Sequence, residues 1–148
     1  MFYLSEYLES HRDEYYARLK AISVKGDWNG WIAFFLRAVS LQAQDNSQRV
    51  MAIKSLYDEM KQRIHELTRS QFSVHLLDAI FSKPIFRTTD IIEQLHLEFG
   101  IHKKTVPGLL RSLREGEVLK ELKPASGNRP AVLCFPELLN IAEGRKIL

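Results

Sequence analysis

The run His102-Lys103-Lys104-Thr105, with Arg111 and Arg114 behind it, is the densest set of side chains able to meet nucleic acid. Lysine and arginine supply charge to phosphates, and polar side chains at the start of a helix reach base edges in a groove. A second set, Lys123, Asn128 and Arg129, brackets the turn-rich stretch PASGNRP. Other chemistry is thinner. Five histidines (His11, His65, His75, His96, His102) and the single Cys134 show no tight metal-ligand spacing, so they are expected as packed or solvated side chains and no metal is assigned. The pairs Asp13-Glu14 and Asp58-Glu59 sit side by side on helical segments, where neighbouring positions point apart, and are expected on solvated faces. There is no glycine-rich phosphate loop, and no base lies next to Cys134 in sequence. No catalytic residue is assigned, and the chain by itself is not expected to be an enzyme.

The elements that would position the basic residues begin near Arg69. QFSVHLLDAIF reads as a helix ended by Lys83-Pro84, and Thr88-Thr89-Asp90 opens a second, with Thr88 or Thr89 as its cap. Gly100 marks a tight turn into a third helix whose inward face carries Val106, Leu109, Leu110 and Leu113. Pro107 would cost about 3 kcal/mol in a helix interior and little in the first turn. That helix therefore either starts late, with Thr105 as cap, or is kinked, and both outcomes weaken base reading. Two β-prone runs follow, VLKEL and AVLCF, with Cys134 expected to be buried in the second. Helix, helix, turn, helix and β-hairpin make the plan of a winged helix-turn-helix, placed at residues 68–148. Such a domain docks duplex DNA or another protein, sets the oligomeric state, or is packed internally, and all of these remain open.

Residues 1–67 follow a different grammar. Leu4, Tyr7, Leu8, His11, Tyr15, Leu19 and Ile22 recur at helical spacing, Gly26 ends that helix, and Asp27 caps the next. The second helix carries Trp28, Trp31, Phe34, Phe35, Ala38 and Val39. A stripe of this kind is chiefly core; Trp28, Trp31, Phe34 and Phe35 are also the candidate partner interface if part of it stays exposed. No glycine or proline interrupts residues 31–83, which allows one very long helix with a bend or break near Asn46.

Bulk properties bound these readings. Of the 148 residues 45% are hydrophobic and 26% charged, the balance of a globular protein. No apolar run approaches the roughly 18 residues of a membrane span. The acidic N-terminal stretch is no signal peptide, and one cysteine allows no internal disulfide, so a cytoplasmic setting is expected. The net charge of +3 lies wholly in residues 69–148, which is mild for a nucleic-acid binder.

Three stretches together carry a family resemblance. YLSEYLESHRDEYYARL, GDWNGWIAFFLRAVSLQA and TTDIIEQLHLEFGIHKKTVPGLLRSLREGEVLKEL, with GNRPAVLCFPELLNI behind them, resemble the C-terminal part of a Fic-family protein across nearly the whole chain. The resemblance implies a mainly α protein: a helical remnant of the Fic bundle followed by a winged helix-turn-helix with a β-hairpin wing. Fic enzymes transfer AMP from ATP to a protein hydroxyl through a His-Pro-Phe…Gly-Asn-Gly-Arg loop with a magnesium ion, and that loop is absent here. Gly127-Asn128-Arg129 echoes it without the preceding His-Pro-Phe or the second glycine. The resemblance thus implies a non-catalytic regulatory or interaction portion, with ATP and magnesium belonging only to a full-length parent. Its partners would be the missing catalytic region or a second copy of itself, a target protein, and as the alternative duplex DNA; no membrane is expected. The rival function is a free-standing winged-helix transcriptional regulator dimerised by its N-terminal helices.

Overall fold

The computed structural model describes residues 4–147. The chain is mainly helical with one small antiparallel sheet, in the order α1 (Leu4–Ser10), α2 (Arg12–Lys25), α3 (Trp28–Thr68), α4 (Ser73–Ser82), β1 (Ile85–Arg87), α5 (Thr88–Phe99), α6 (Val106–Glu115), β2 (Lys120–Lys123), β3 (Val132–Cys134) and α7 (Pro136–Glu143). It divides into two compact units, Met1–Met51 and Ala52–Leu148. The boundary drawn from sequence at 67/68 falls at the end of α3; Leu56, Met60 and Ile64 of that helix lie in the core of the second unit.

In the first unit the expected single helix over residues 4–22 is interrupted at His11, which takes a non-helical conformation between α1 and α2. Neither α1 nor α2 buries a residue, so their apolar face is only half covered. Gly26 closes α2 in the left-handed conformation, φ 68°, where a side chain would be strained. Asp27 then caps α3, its carboxylate accepting the Gly30 amide at 2.9 Å. The expected break near Asn46 does not occur: α3 is continuous over 41 residues, because nothing in Gln44-Asp45-Asn46-Ser47 interrupts the backbone ladder. The Ser47 hydroxyl bonds back to the Ala43 carbonyl at 2.9 Å within that ladder.

The second unit has a single continuous core. Met60 and Ile64 of α3, Leu76, Leu77 and Ile80 of α4, Ile91 and Leu95 of α5, and Leu109, Leu110 and Leu113 of α6 meet Phe86, Leu133 and Phe135 from the sheet region. Helix α5 begins without either threonine as cap: Arg87 holds that position, and the Thr88 amide donates to the Ala131 carbonyl at 3.0 Å. The chain passes straight from strand to helix, and the sheet takes up the amide a cap would have satisfied. Gly100, φ 67°, ends α5. Helix α6 starts at Val106 with Pro107 in its first turn, so proline costs little and no kink forms; Thr105 occupies the cap position without a side-chain hydrogen bond.

The sheet has strand order β1-β3-β2, both pairings antiparallel. Strand β2 begins two residues later than VLKEL suggests, because Val118 and Leu119 are buried in the core before pairing starts. One row across the sheet reads Phe86, Leu133, Glu121, and the next reads Arg87, Val132, Lys123. Between these rows β2 advances two residues while β3 advances one, a bulge at Leu122. The bulge carries Lys123 to the face opposite the core, beside Val132. Among the described residues no helix is long and apolar enough to cross a membrane.

Candidate functional site

The aromatic stripe of the first unit is mostly not core. Phe34 is buried beside Ala38 and Gln42, while Trp28 is 60% exposed, Leu36 60%, Ile32 49% and Phe35 38%. Positions 28, 32, 35 and 36 share one helical face, so α3 presents a continuous apolar strip to solvent. Its other face is built from rings: Phe34 lies 6.0 Å from Trp31 and 6.2 Å from Tyr7, Trp31 lies 5.5 Å from Tyr15, and Tyr7 stacks on His11 at 4.0 Å. Of the four expected interface residues, Trp28 and Phe35 face solvent, Trp31 is half-buried and Phe34 is interior.

In the second unit the basic residues fall into three places. His102, Lys103, Lys104 and Thr105 form the exposed turn before α6. The Lys104 amide donates to His102 Nδ1 at 3.2 Å, and Lys103 pairs with Glu93 at 3.6 Å. Arg111 and Arg114 lie further along α6, with Arg114 tied to Glu121 of β2 at 2.9 Å. Between these two places α6 exposes Pro107 and Gly108, which offer a base edge no donor or acceptor side chain.

Lys123, Asn128 and Arg129 do converge. They line a cleft of about 510 Å³ together with Arg87 of β1, over a floor that includes Val132 and Pro130. No acidic side chain lines this cleft, and among the described residues no carboxylate pairs with Arg87, Lys123 or Arg129. Arg87 was invisible to the sequence reading: it enters through strand pairing with a residue 45 positions away, Val132. In sequence it stands only as the residue before Thr88-Thr89-Asp90.

Two further arrangements could suggest catalysis. His65 Nδ1 lies 3.3 Å from Ser73 Oγ, but Ser73 is only 4% exposed, so its hydroxyl has no room for a substrate. Cys134 is buried, and burial raises its thiol above the ordinary value against a smaller opposing contribution from the Lys120 backbone. Such a thiol is a weak nucleophile. Among the described residues no group of three or more His, Cys, Asp or Glu is placed to hold a metal ion. The turn Gly127-Asn128-Arg129 lies in the cationic cleft with no carboxylate beside it, which does not suit a magnesium ion, and no step of AMP transfer is assigned to it. The chain matches no family model.

Proposed function

We propose that this chain is the non-catalytic, C-terminal interaction portion of a Fic-type protein AMP transferase. Its first unit completes a helical bundle, and its second is a winged helix that recruits a target protein. The observation that carries the reading is the solvent-facing strip Trp28, Ile32, Phe35 and Leu36 on a unit whose buried side chains, among the described residues, are Phe34, Ala38 and Gln42. That is half of a helix–helix interface, and the resemblance names the catalytic-region helices as the other half. The order α4-β1-α5-α6-β2-β3 with sheet order β1-β3-β2 supports the winged-helix part. Pro107 and Gly108 at the start of α6, with Lys103 and Arg114 held in ion pairs, support protein docking over base reading and weigh against the DNA-binding regulator.

The coding DNA immediately before the Met1 codon tests this reading. An in-frame stretch encoding His-Pro-Phe…Gly-Asn-Gly-Arg is expected. A stop codon in that frame with no such motif sinks the proposal, and the chain is then a protein acting through its winged helix and a self-paired first unit.

A further inference from the structure

We propose that the cleft between β1 and the β2–β3 turn is a binding site for an acidic segment of another protein, held in the polyproline-II form with carboxylates three residues apart. The inference rests on the cleft alone and is independent of the Fic reading.

The construction of the cleft carries the argument. Arg87 and Lys123 are the partners of Val132 on the two flanking strands, so the three side chains stand in one row on the face away from the core. In regular register Leu122 would hold the Lys123 position; the bulge puts the cation there instead. Two strand spacings separate the Cα atoms of Arg87 and Lys123 by roughly 10 Å, with an apolar side chain between them. Arg129 adds a third charge and Asn128 an amide, both from the turn, which is held by the reciprocal Ser126 and Arg129 backbone hydrogen bonds of 3.1 and 3.0 Å.

The spacing selects the ligand. A lone inorganic anion meets one cation and leaves the others unanswered. A peptide in the polyproline-II form turns once every three residues and rises about 3.1 Å per residue, so carboxylates three positions apart share one face, span about 9 Å and answer both ends of the row. Residues between them would lie over Val132 and Pro130, an apolar floor that suits side chains such as leucine. A DNA phosphate backbone could supply the charge, but it offers little apolar surface to that floor. The neighbouring helix α6 also begins with residues that read no base.

The test uses the full chain and a short fluorescein-labelled peptide with glutamate at every third position and leucine among the intervening residues. A glutamine counterpart and a short labelled DNA duplex run alongside, all followed by fluorescence anisotropy. Saturable binding of the acidic peptide is expected, with weaker binding of the other two probes. Arg87→Gln and Lys123→Gln should each weaken the acidic peptide roughly five-fold, as loss of one exposed ion pair allows. Lys54→Gln, at an exposed lysine of α3 outside the cleft, should change it less than two-fold. Far-UV circular dichroism checks that each variant is folded. The proposal is overturned by no saturable binding, by equal binding of the glutamine peptide, or by an equal loss in Lys54→Gln. Tighter binding of the duplex through Arg87 and Lys123 overturns it as well, and assigns the cleft to nucleic acid.

Discussion

Replacing Phe34 by alanine should unfold the first unit and leave the second intact. Phe34 is 4% exposed and bridges Tyr7 and Trp31, and among the described residues of this unit the other buried apolar side chain is Ala38. Removing a buried phenylalanine costs about 3–5 kcal/mol. A unit of this size holds a total stability of roughly 3–8 kcal/mol by the usual per-residue scale, so the loss is comparable to everything the unit has. The second unit draws on a core with twenty buried residues among those described and contains no part of this cluster. The protein supplies its own reporter, because both tryptophans, Trp28 and Trp31, lie in the first unit. Tryptophan emission and far-UV circular dichroism during a urea titration should give two separate transitions, with emission changing first. In Phe34→Ala the emission should be red-shifted before any urea is added, while the main dichroism midpoint stays in place. One coincident transition, displaced as a whole by the substitution, would refute the claim that the two units stand on separate cores.

The remaining predictions use the same measurements. Asp27→Ala removes the cap of α3 and should lower the emission-detected stability by about 1 kcal/mol. Ile32→Ser together with Leu36→Ser should leave both midpoints within about 0.5 kcal/mol, since these side chains already face solvent; a larger loss would mean that the strip is covered. Tyr57 donates to Asp78 at 2.6 Å, and this hydrogen bond, with partial burial, raises the phenol above its ordinary value. The folded chain therefore keeps that proton more tightly than the unfolded one. The associated stability is complete below about pH 10 and falls as pH climbs through the raised value, and Tyr57→Phe should flatten that part of the profile. Cys134 should react with a disulfide reagent only as fast as the second unit opens, and immediate reaction in the native state would contradict its burial.

Local rules made much of the fold legible. Gly26, Asp27 and Gly100 act where their chemistry predicts, and Pro107 falls in a first turn, the one helical position that tolerates it. What sequence misjudged depends on distant partners. Thr88 has the right side chain for a cap, but its amide is taken by Ala131, far along the chain. Strand β1 is three residues long and gave no periodic signal; it exists because β3 pairs with it. Helix α7 went unread because it follows Phe135 directly, with Pro136 opening it where proline also suits a loop. The stripe on α3 has core composition, and periodicity cannot say which of its faces is covered. In the candidate site, Lys123, Asn128 and Arg129 were legible as a basic turn, while Arg87 was not, since only pairing through Val132 brings it there.

The small sheet has one more consequence. Strands β1 and β2 each pair with β3 alone, so both outer edges carry backbone groups that another strand could match. The left edge is three residues long and preceded by Pro84, which has no amide to offer. The right edge places Lys120 and Lys123 around the bulge at Leu122 and is followed by Pro124. A second copy sliding in to extend the sheet would meet a short strand behind a proline at the β1 edge, and like charge with mismatched spacing at the β2 edge. The same irregularity that aims a lysine over Val132 thus also makes the β2 edge a poor template for a further strand.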